Sequence, residues 1–518
     1  MTALQINGND LSLHDLHQVV YEQRPVELAD DARKKVVAAR EVVEKLLREN
    51  RVAYAINTGV GKLSDVHIEP AQNRQLQVNL IRSHSAGVGE PLSQAETRAM
   101  MLLRANSLAK GFSGVRPEVI DLICAMLNKG VHPVVPSQGS VGASGDLAPL
   151  AHLALAMIGE GHVWKENAGQ ENAGQENAWN GGERTNSADA LQRAQIRPLV
   201  PEAKEAISLI NGTQAMLAVG TLALLAAEIL GATADVLGAM SLDALHGTDV
   251  AFDARIHDAR PHAGQVEVAA NLRRLLAGSE IRESHKDCGR VQDAYSLRCI
   301  PQVHGAVRDT LDFCRRTFEI EMNSAVDNPL VFVKSHGEGD IISGGNFHGQ
   351  PLAFALDYMA IALSALAGIS ERRIERLVNP ALNEGLPPFL APDAGINSGF
   401  MMPQVTAAAL ASENKGLAHP ASVDSITTSG NKEDYVSMGM AAAIKLKRVI
   451  ANTTNVLAIE ACAAAQALDF LSPLKSSQPL QKAHAAIRNV SPKIEHDRVF
   501  AEDFEKLAEL VRSGALKK

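Results

Sequence analysis

The chain has 518 residues, 46% of them hydrophobic, and its 50 Lys and Arg against 59 Asp and Glu leave a net charge of −9. That length allows several domain-sized units around a large core. The acidic balance removes the electrostatic case for binding nucleic acid or an anionic membrane, whereas a small zwitterionic substrate suits it.

The first residues, MTALQINGNDLSLHDLH, lack the basic and apolar stretches of an export signal, so a cytoplasmic protein is expected. His14 and His17 sit in a polar segment and read as surface histidines. Further on, PEVIDLICAMLNKG has Pro117 at its start, apolar residues at helical spacing and Gly130 at its end, the pattern of a complete helix. Residues 139–150, GSVGASGDLAPL, place three glycines ahead of an apolar helix. Two readings fit them. One is a flexible loop in which Ser and Asp cap the helix. The other is a strained turn that brings the Gly145 nitrogen to the Ala143 carbonyl, where cyclisation and dehydration would give a conjugated ring.

Residues 166–178 read ENAGQ-ENAGQ-ENA, a polar tandem repeat with hardly any large aliphatics, expected to be a mobile surface insert spanning 162–190. Three later stretches, 205–245, 352–378 and 436–470, read as long core helices with few polar interruptions, among them Asn211 and Asp357. The apolar run 215–227 is too short to span a bilayer, so no membrane partner is expected. His257, His262 and His285 lack tight ligand spacing and read as surface histidines. Cys124, Cys288, Cys299, Cys314 and Cys462 are odd in number and form no C-x-x-C pair, which argues against a disulfide framework and a thiolate zinc site. Aromatics at 4% with abundant Ala and Leu favour helix-on-helix packing, and no β-α alternation appears. An all-α fold is therefore predicted: an elongated central bundle of long helices over 201–518, and a smaller, loop-rich N-terminal region over 1–200. Gly- and Ser-rich punctuation at 57–61, 137–145, 343–349 and 427–430 marks the loops where chemistry should gather.

The segment GSVGASGDLAPLAHLALAMIGEG resembles the prosthetic-group region of the aromatic amino acid ammonia-lyases that use 4-methylidene-imidazol-5-one (MIO). Further family-like segments follow the chain order, including AYAINTGVGKLSDVHI, NLIRSHSAGVGEP, LINGTQAM, RVQDAYSLRCIPQVHGAV, ISGGNFHG and NKEDYVSMG. The resemblance covers the whole chain apart from the ENAGQ insert and the extreme ends.

It implies that Ala143, Ser144 and Gly145 condense to MIO, with Asp146 assisting, and that neither pyridoxal phosphate nor a metal is needed. Tyr54 is implied as the base for the substrate β-hydrogen and Tyr295 as a second catalytic tyrosine. Arg298 is implied as the carboxylate clamp, a role suited to its planar fork. Gln292, Asn211 and Phe347 are implied around the substrate or the ring. Deamination of an amino acid needs both functions, an electrophile for a poor leaving group and a positioned base.

Ser83-His84 and Glu433 resemble the substrate-contacting positions of histidine-specific members, which implies conversion of L-histidine to trans-urocanate and ammonia. Taken alone, His84 reads as a loop histidine and Glu433 as a solvated carboxylate. Val60, Ile300, Pro403-Gln404 and Tyr435 depart from the family pattern. They leave a tyrosine ammonia-lyase or tyrosine 2,3-aminomutase as the alternative. A catalytically dead helical scaffold is the reading from another class, opposed by the intact Ala143-Ser144-Gly145, Tyr54 and Arg298. The family also implies a homotetramer with shared active sites.

Overall fold

The computed structural model describes residues 1–165, 183–286, 289–335 and 337–517. The fold is all-α, 59% helix and 8% strand. Among the described residues its strands form four separate two-stranded pieces, the longest being Leu330–Ser335 against Glu338–Ile342. Core helices Gln214–Ala244, Gln350–Val378 and Gly439–Phe470 match the three long apolar runs of the sequence. The helix Pro117–Asn128 begins on its proline, and Gly130 follows its end at φ +69°. Ser12 and Ser93 each close a reciprocal capping box on the helix they precede, which satisfies free amides of the first turn.

Two compact units divide the chain. The first comprises Met1–Leu222, Arg315–Leu356 and Pro420–Ile444; the second comprises Ala223–Cys314, Asp357–His419 and Lys445–Lys518. The first unit therefore takes in later segments as well as the expected N-terminal region. The ENAGQ repeat lies outside the described residues. Its flanks are ordered: His162–Trp164 pairs antiparallel with Arg184–Asn186, and Ser187–Arg193 is helical, so these parts of the expected 162–190 loop are regular structure.

The expected continuous helix over 205–245 is interrupted. A short helix, Glu205–Ile210, ends at Asn211 in extended backbone, and Gln214–Ala244 starts afresh. Arg104 fixes this break from within the first unit. Its fully buried guanidinium donates to the carbonyls of Asn211 (3.0 Å) and Ser208 and to Gln214 Oε1 (2.7 Å). Burial pushes its pKa down to about 10, opposed by Asp327, so it stays charged at neutral pH. Lys204, also fully buried, donates to Asp327 (2.8 Å) and to Ser208 Oγ (2.8 Å). Tertiary bonds thus hold open a break that the Asn211-Gly212 pair, a local turn signal, already favours.

In the second unit, Arg373 and Glu460 form a fully buried bidentate pair at 2.5 and 2.9 Å, with Ser241 and Ser370 also donating to the carboxylate. Such saturation is what makes a buried ion pair tolerable. His257 is a correction to the sequence reading, being 1% exposed. Gln265 donates to its Nδ1 at 3.0 Å, and its Nε2 lies 3.2 Å from the Ala251 carbonyl, so it is a satisfied core histidine. Among the described residues, no group of three or more His, Cys, Asp or Glu is placed to hold a metal ion.

Candidate active site

The loop 139–146 is shaped by what surrounds its glycines. Gly142 (φ +70°) and Gly145 (φ +71°) occupy left-handed backbone, and a Cβ on either would collide, with Ser437 Oγ at Gly142 and with the Gly212 carbonyl at Gly145. Only glycine meets both demands. Gly145 bridges Gly212 in a parallel pair that bonds through the Asp146 amide to the Gly212 carbonyl (2.7 Å), so the Gly145 nitrogen takes no part in it. Ser437 donates to the Gly142 carbonyl (3.2 Å), and the Met438 amide donates to the Val141 carbonyl (2.9 Å). Ala143 is buried and Ser144 half-buried.

Asp146 does not cap the helix it precedes, Leu147–Met157. Its carboxylate instead accepts from the Met216 amide (2.8 Å) and from Ser140 Oγ (3.0 Å), at the start of the Gln214–Ala244 helix. The positive end of that helix favours the anion, yet complete burial dominates and pushes the pKa up to about 6. A raised folded pKa means that stability from this group is present below the unfolded value of 3.8 and lost as pH climbs through 6. Asp146→Asn should therefore gain stability relative to wild type between pH 4 and 6, by on the order of 1.4 kcal/mol per pH unit at most. Denaturant midpoints at several pH values check this; parallel curves for the two proteins would refute it.

Ser144 faces two groups. Asn211 Nδ2 donates to its carbonyl at 3.1 Å, and its hydroxyl donates to Glu433 Oε1 at 2.8 Å. The other Asn211 amide atom, Oδ1, is buried without a hydrogen-bond partner. Glu433 Oε2 accepts from Thr428 Oγ1 (2.9 Å) and Ser429 Oγ (2.6 Å).

His84 ends the helix Asn73–His84, with Nδ1 2.9 Å from the Leu80 carbonyl and 3.1 Å from Ser83 Oγ. Burial holds its pKa below the ordinary value, opposed by the Leu80 bond and by the charge of Glu433, so the ring is neutral at pH 7. Tyr54 lies half-buried in the turn 53–59, where its phenol oxygen accepts from the Gly61 amide at 3.2 Å. The short helix Gly61–Leu63 packs against Ser429–Asn431, the turn that leads to Glu433.

Ser83, His84, Asn211, Ala143, Ser144, Gly145, Asp146, Glu433 and, through its loop, Tyr54 thus gather in the first unit. Phe347 belongs to the same unit, half-buried beside Gly349, whose added Cβ would meet Met216 Sδ. Gln292, Tyr295 and Arg298 belong to the second unit and form a group of their own. There the Arg298 guanidinium sits 4.6 Å from the Tyr295 ring centroid. Tyr295 is 71% exposed, and Arg298 Nε is buried without a hydrogen-bond partner. Sequence reasoning missed Arg104, Ser140, Ser437, Thr428 and Ser429. The pairs Gly139-Ser140 and Thr428-Ser429 lay in segments already marked as Gly- and Ser-rich, whereas nothing in the sequence singled out Arg104.

A model of the family described as aromatic amino acid lyase matches residues 11–489. A histidine ammonia-lyase of Koribacter versatilis (strain Ellin345) is 67% identical over 525 residues, covering 100% of this chain and 99% of that protein. Among solved structures, histidine ammonia-lyase from Trypanosoma cruzi superposes with a TM-score of 0.89 at 42% identity, covering 100% of this chain and 94% of that one. Tyrosine aminomutase from Streptomyces globisporus gives a TM-score of 0.91 at 38% identity, covering 99% and 98%.

Proposed function

This chain belongs to the aromatic amino acid lyase family, and on that premise we propose that it eliminates ammonia from L-histidine to give trans-urocanate, using an MIO group made from Ala143, Ser144 and Gly145. The carrying observation is the 67% identity to a histidine ammonia-lyase over the full chain. Glu433 bonded to Ser144 is its local counterpart. Tyrosine ammonia-lyase and tyrosine 2,3-aminomutase have the weaker case, since the tyrosine aminomutase neighbour is 38% identical.

The loop fits the group. Cyclisation joins the Gly145 nitrogen to the Ala143 carbonyl carbon with loss of one water, and Ser144 sheds its hydroxyl with an α-hydrogen as the second. The small side chains, the Gly145 nitrogen left out of the bridge and the unpartnered Asn211 Oδ1 all suit that product. Once formed, MIO supplies an electrophile that turns the substrate amine into a better leaving group. Asn211 orients the loop through the Ser144 carbonyl. Tyr54 takes the β-hydrogen, its phenol oxygen oriented by the Gly61 N–H. Glu433 and the neutral His84 provide an acceptor and a donor for an imidazole. Arg298 pairs with the substrate carboxylate, with Gln292 and Tyr295 beside it.

Tyr295 is exposed in the single chain, as a residue of a site completed by a second copy must be, and this supports a homotetramer with shared active sites. Helices Gln214–Ala244 and Gln350–Val378 are long and apolar enough to cross a bilayer, yet 72% and 61% of their most apolar stretches are buried, which fits core helices and a cytoplasmic enzyme.

Incubating the purified protein with L-histidine, L-tyrosine and L-phenylalanine tests the assignment. New urocanate absorbance from histidine is expected. Coumarate or β-tyrosine without urocanate would overturn the substrate.

A further inference from the structure

Glu433 is held by an unusually closed loop. The Thr428 amide donates to the Glu433 carbonyl (2.9 Å), and the Asn431 amide donates to the Thr428 carbonyl (3.1 Å). Between these bonds, Ser429, Gly430 and Asn431 take φ values of +50°, +62° and +68° in succession. Two of the three carry side chains, for which left-handed backbone is costly. Such a conformation persists only where neighbours over-determine it, and it concentrates at working sites.

Here the loop's yield is specific. It brings the hydroxyls of Thr428 and Ser429 onto one and the same carboxylate oxygen, Oε2 of Glu433, at 2.9 and 2.6 Å. The other oxygen, Oε1, is left for the Ser144 hydroxyl at 2.8 Å. A glutamate has three side-chain torsions, and without such contacts one on an irregular loop would sample several rotamers.

We infer that Thr428 and Ser429 are positioning residues that fix the Glu433 carboxylate, and that through it they set the enzyme's preference for an imidazole substrate. This rests on the reading of the site as a histidine-deaminating one. With Oε2 occupied by two donors, Oε1 is the atom that would be released to meet the substrate ring when Ser144 sheds its hydroxyl on ring formation, in a direction set by the turn. Hydrogen bonds to a charged acceptor are the strong ones, so each hydroxyl should matter separately. Preorganisation also explains why the donors are hydroxyls: both can rotate to satisfy the anion and add no competing charge.

The experiment compares Thr428→Val, Ser429→Ala and the double variant with Thr428→Ser, all as full-length protein. For L-histidine, kcat/KM is expected to fall about tenfold for each hydroxyl removed, the equivalent of roughly 1.4 kcal/mol apiece, mainly through kcat. The conservative Thr428→Ser should recover most of the loss at that position. All four proteins should keep the mass deficit of two waters, which shows that folding and ring formation survive. A merely structural role would instead lower the mass deficit and the thermal midpoint together and would not be rescued. A double variant with undiminished kcat/KM on histidine, or one in which folding and activity decline in step, overturns the inference. Failure of the underlying assignment reads differently: wild type would then give no urocanate, or Glu433→Gln would turn over histidine normally.

Discussion

Ser144→Ala yields a folded protein whose deamination of L-histidine falls by at least about three orders of magnitude, or roughly 4 kcal/mol in the barrier. Two separate arguments give the two halves of this outcome. The fold should survive because the hydroxyl is half-buried and its recorded side-chain bond goes to Glu433. Losing one hydrogen bond to a charged partner costs about 1.5 to 3 kcal/mol at most, and the methyl group left behind creates no cavity. The backbone of the loop is held by other residues, through Gly142, Asp146 and Asn211. Turnover should vanish because alanine has no oxygen to shed, so the exocyclic double bond cannot form. Intact mass separates the two effects. Wild type should weigh less than its sequence by two waters, roughly 36 Da, and the variant should lack that full deficit while keeping a normal circular dichroism spectrum. Retention of a tenth of wild-type activity would remove the prosthetic-group assignment.

Tyr54→Phe should lower kcat by about 10² to 10⁴, the usual worth of a positioned acid or base, and leave the two-water mass deficit intact. The phenol oxygen accepts the Gly61 amide at 3.2 Å, and Gly61 is itself only half-buried, so its amide can turn to water when the oxygen is gone. Stability should therefore change by about 1 kcal/mol or less. KM for histidine should move by no more than a few-fold, because Tyr54 acts on the β-hydrogen and does not carry the carboxylate or the imidazole. Steady-state kinetics with mass spectrometry decide the matter. A kcat within threefold of wild type would reassign the base, with Tyr295 next to be tried.

The helical architecture was legible because long helices leave a strong periodic trace in a chain this rich in Ala and Leu. Pro117 and Gly130 marked helix ends for the same local reason: each has a backbone preference that acts without help. The break at Asn211 was overlooked although Asn211-Gly212 is a local turn signal; what the sequence did not show is its partner Arg104, more than a hundred residues upstream, which bonds the freed carbonyls. Asp146 misled in a similar way. An acidic residue before an apolar run reads as a cap of that run, yet its carboxylate serves a different helix, through the Met216 amide. His257 shows the limit from the side of burial, since nothing local distinguishes a core histidine with both nitrogens bonded from a solvated one. The site residues themselves were named from resemblance; their partners, the hydroxyls of Ser140, Thr428 and Ser429, became visible only in three dimensions.

The walls of the loop have an order in time as well as in space. Ala143, Ser144 and Gly145 leave the ribosome early, whereas Ser437 and Met438, which bond Gly142 and Val141, come nearly three hundred residues later. At typical synthesis rates that interval is roughly 15 to 60 s. Throughout it, the bonds from Asn211, Gly212 and Met216 can reach the nascent loop, but those from Ser437 and Met438 cannot. Under the proposed chemistry, a chain ending before residue 437 lacks two of the loop's bonds, and its expected mass is that of its sequence, without the loss of two waters.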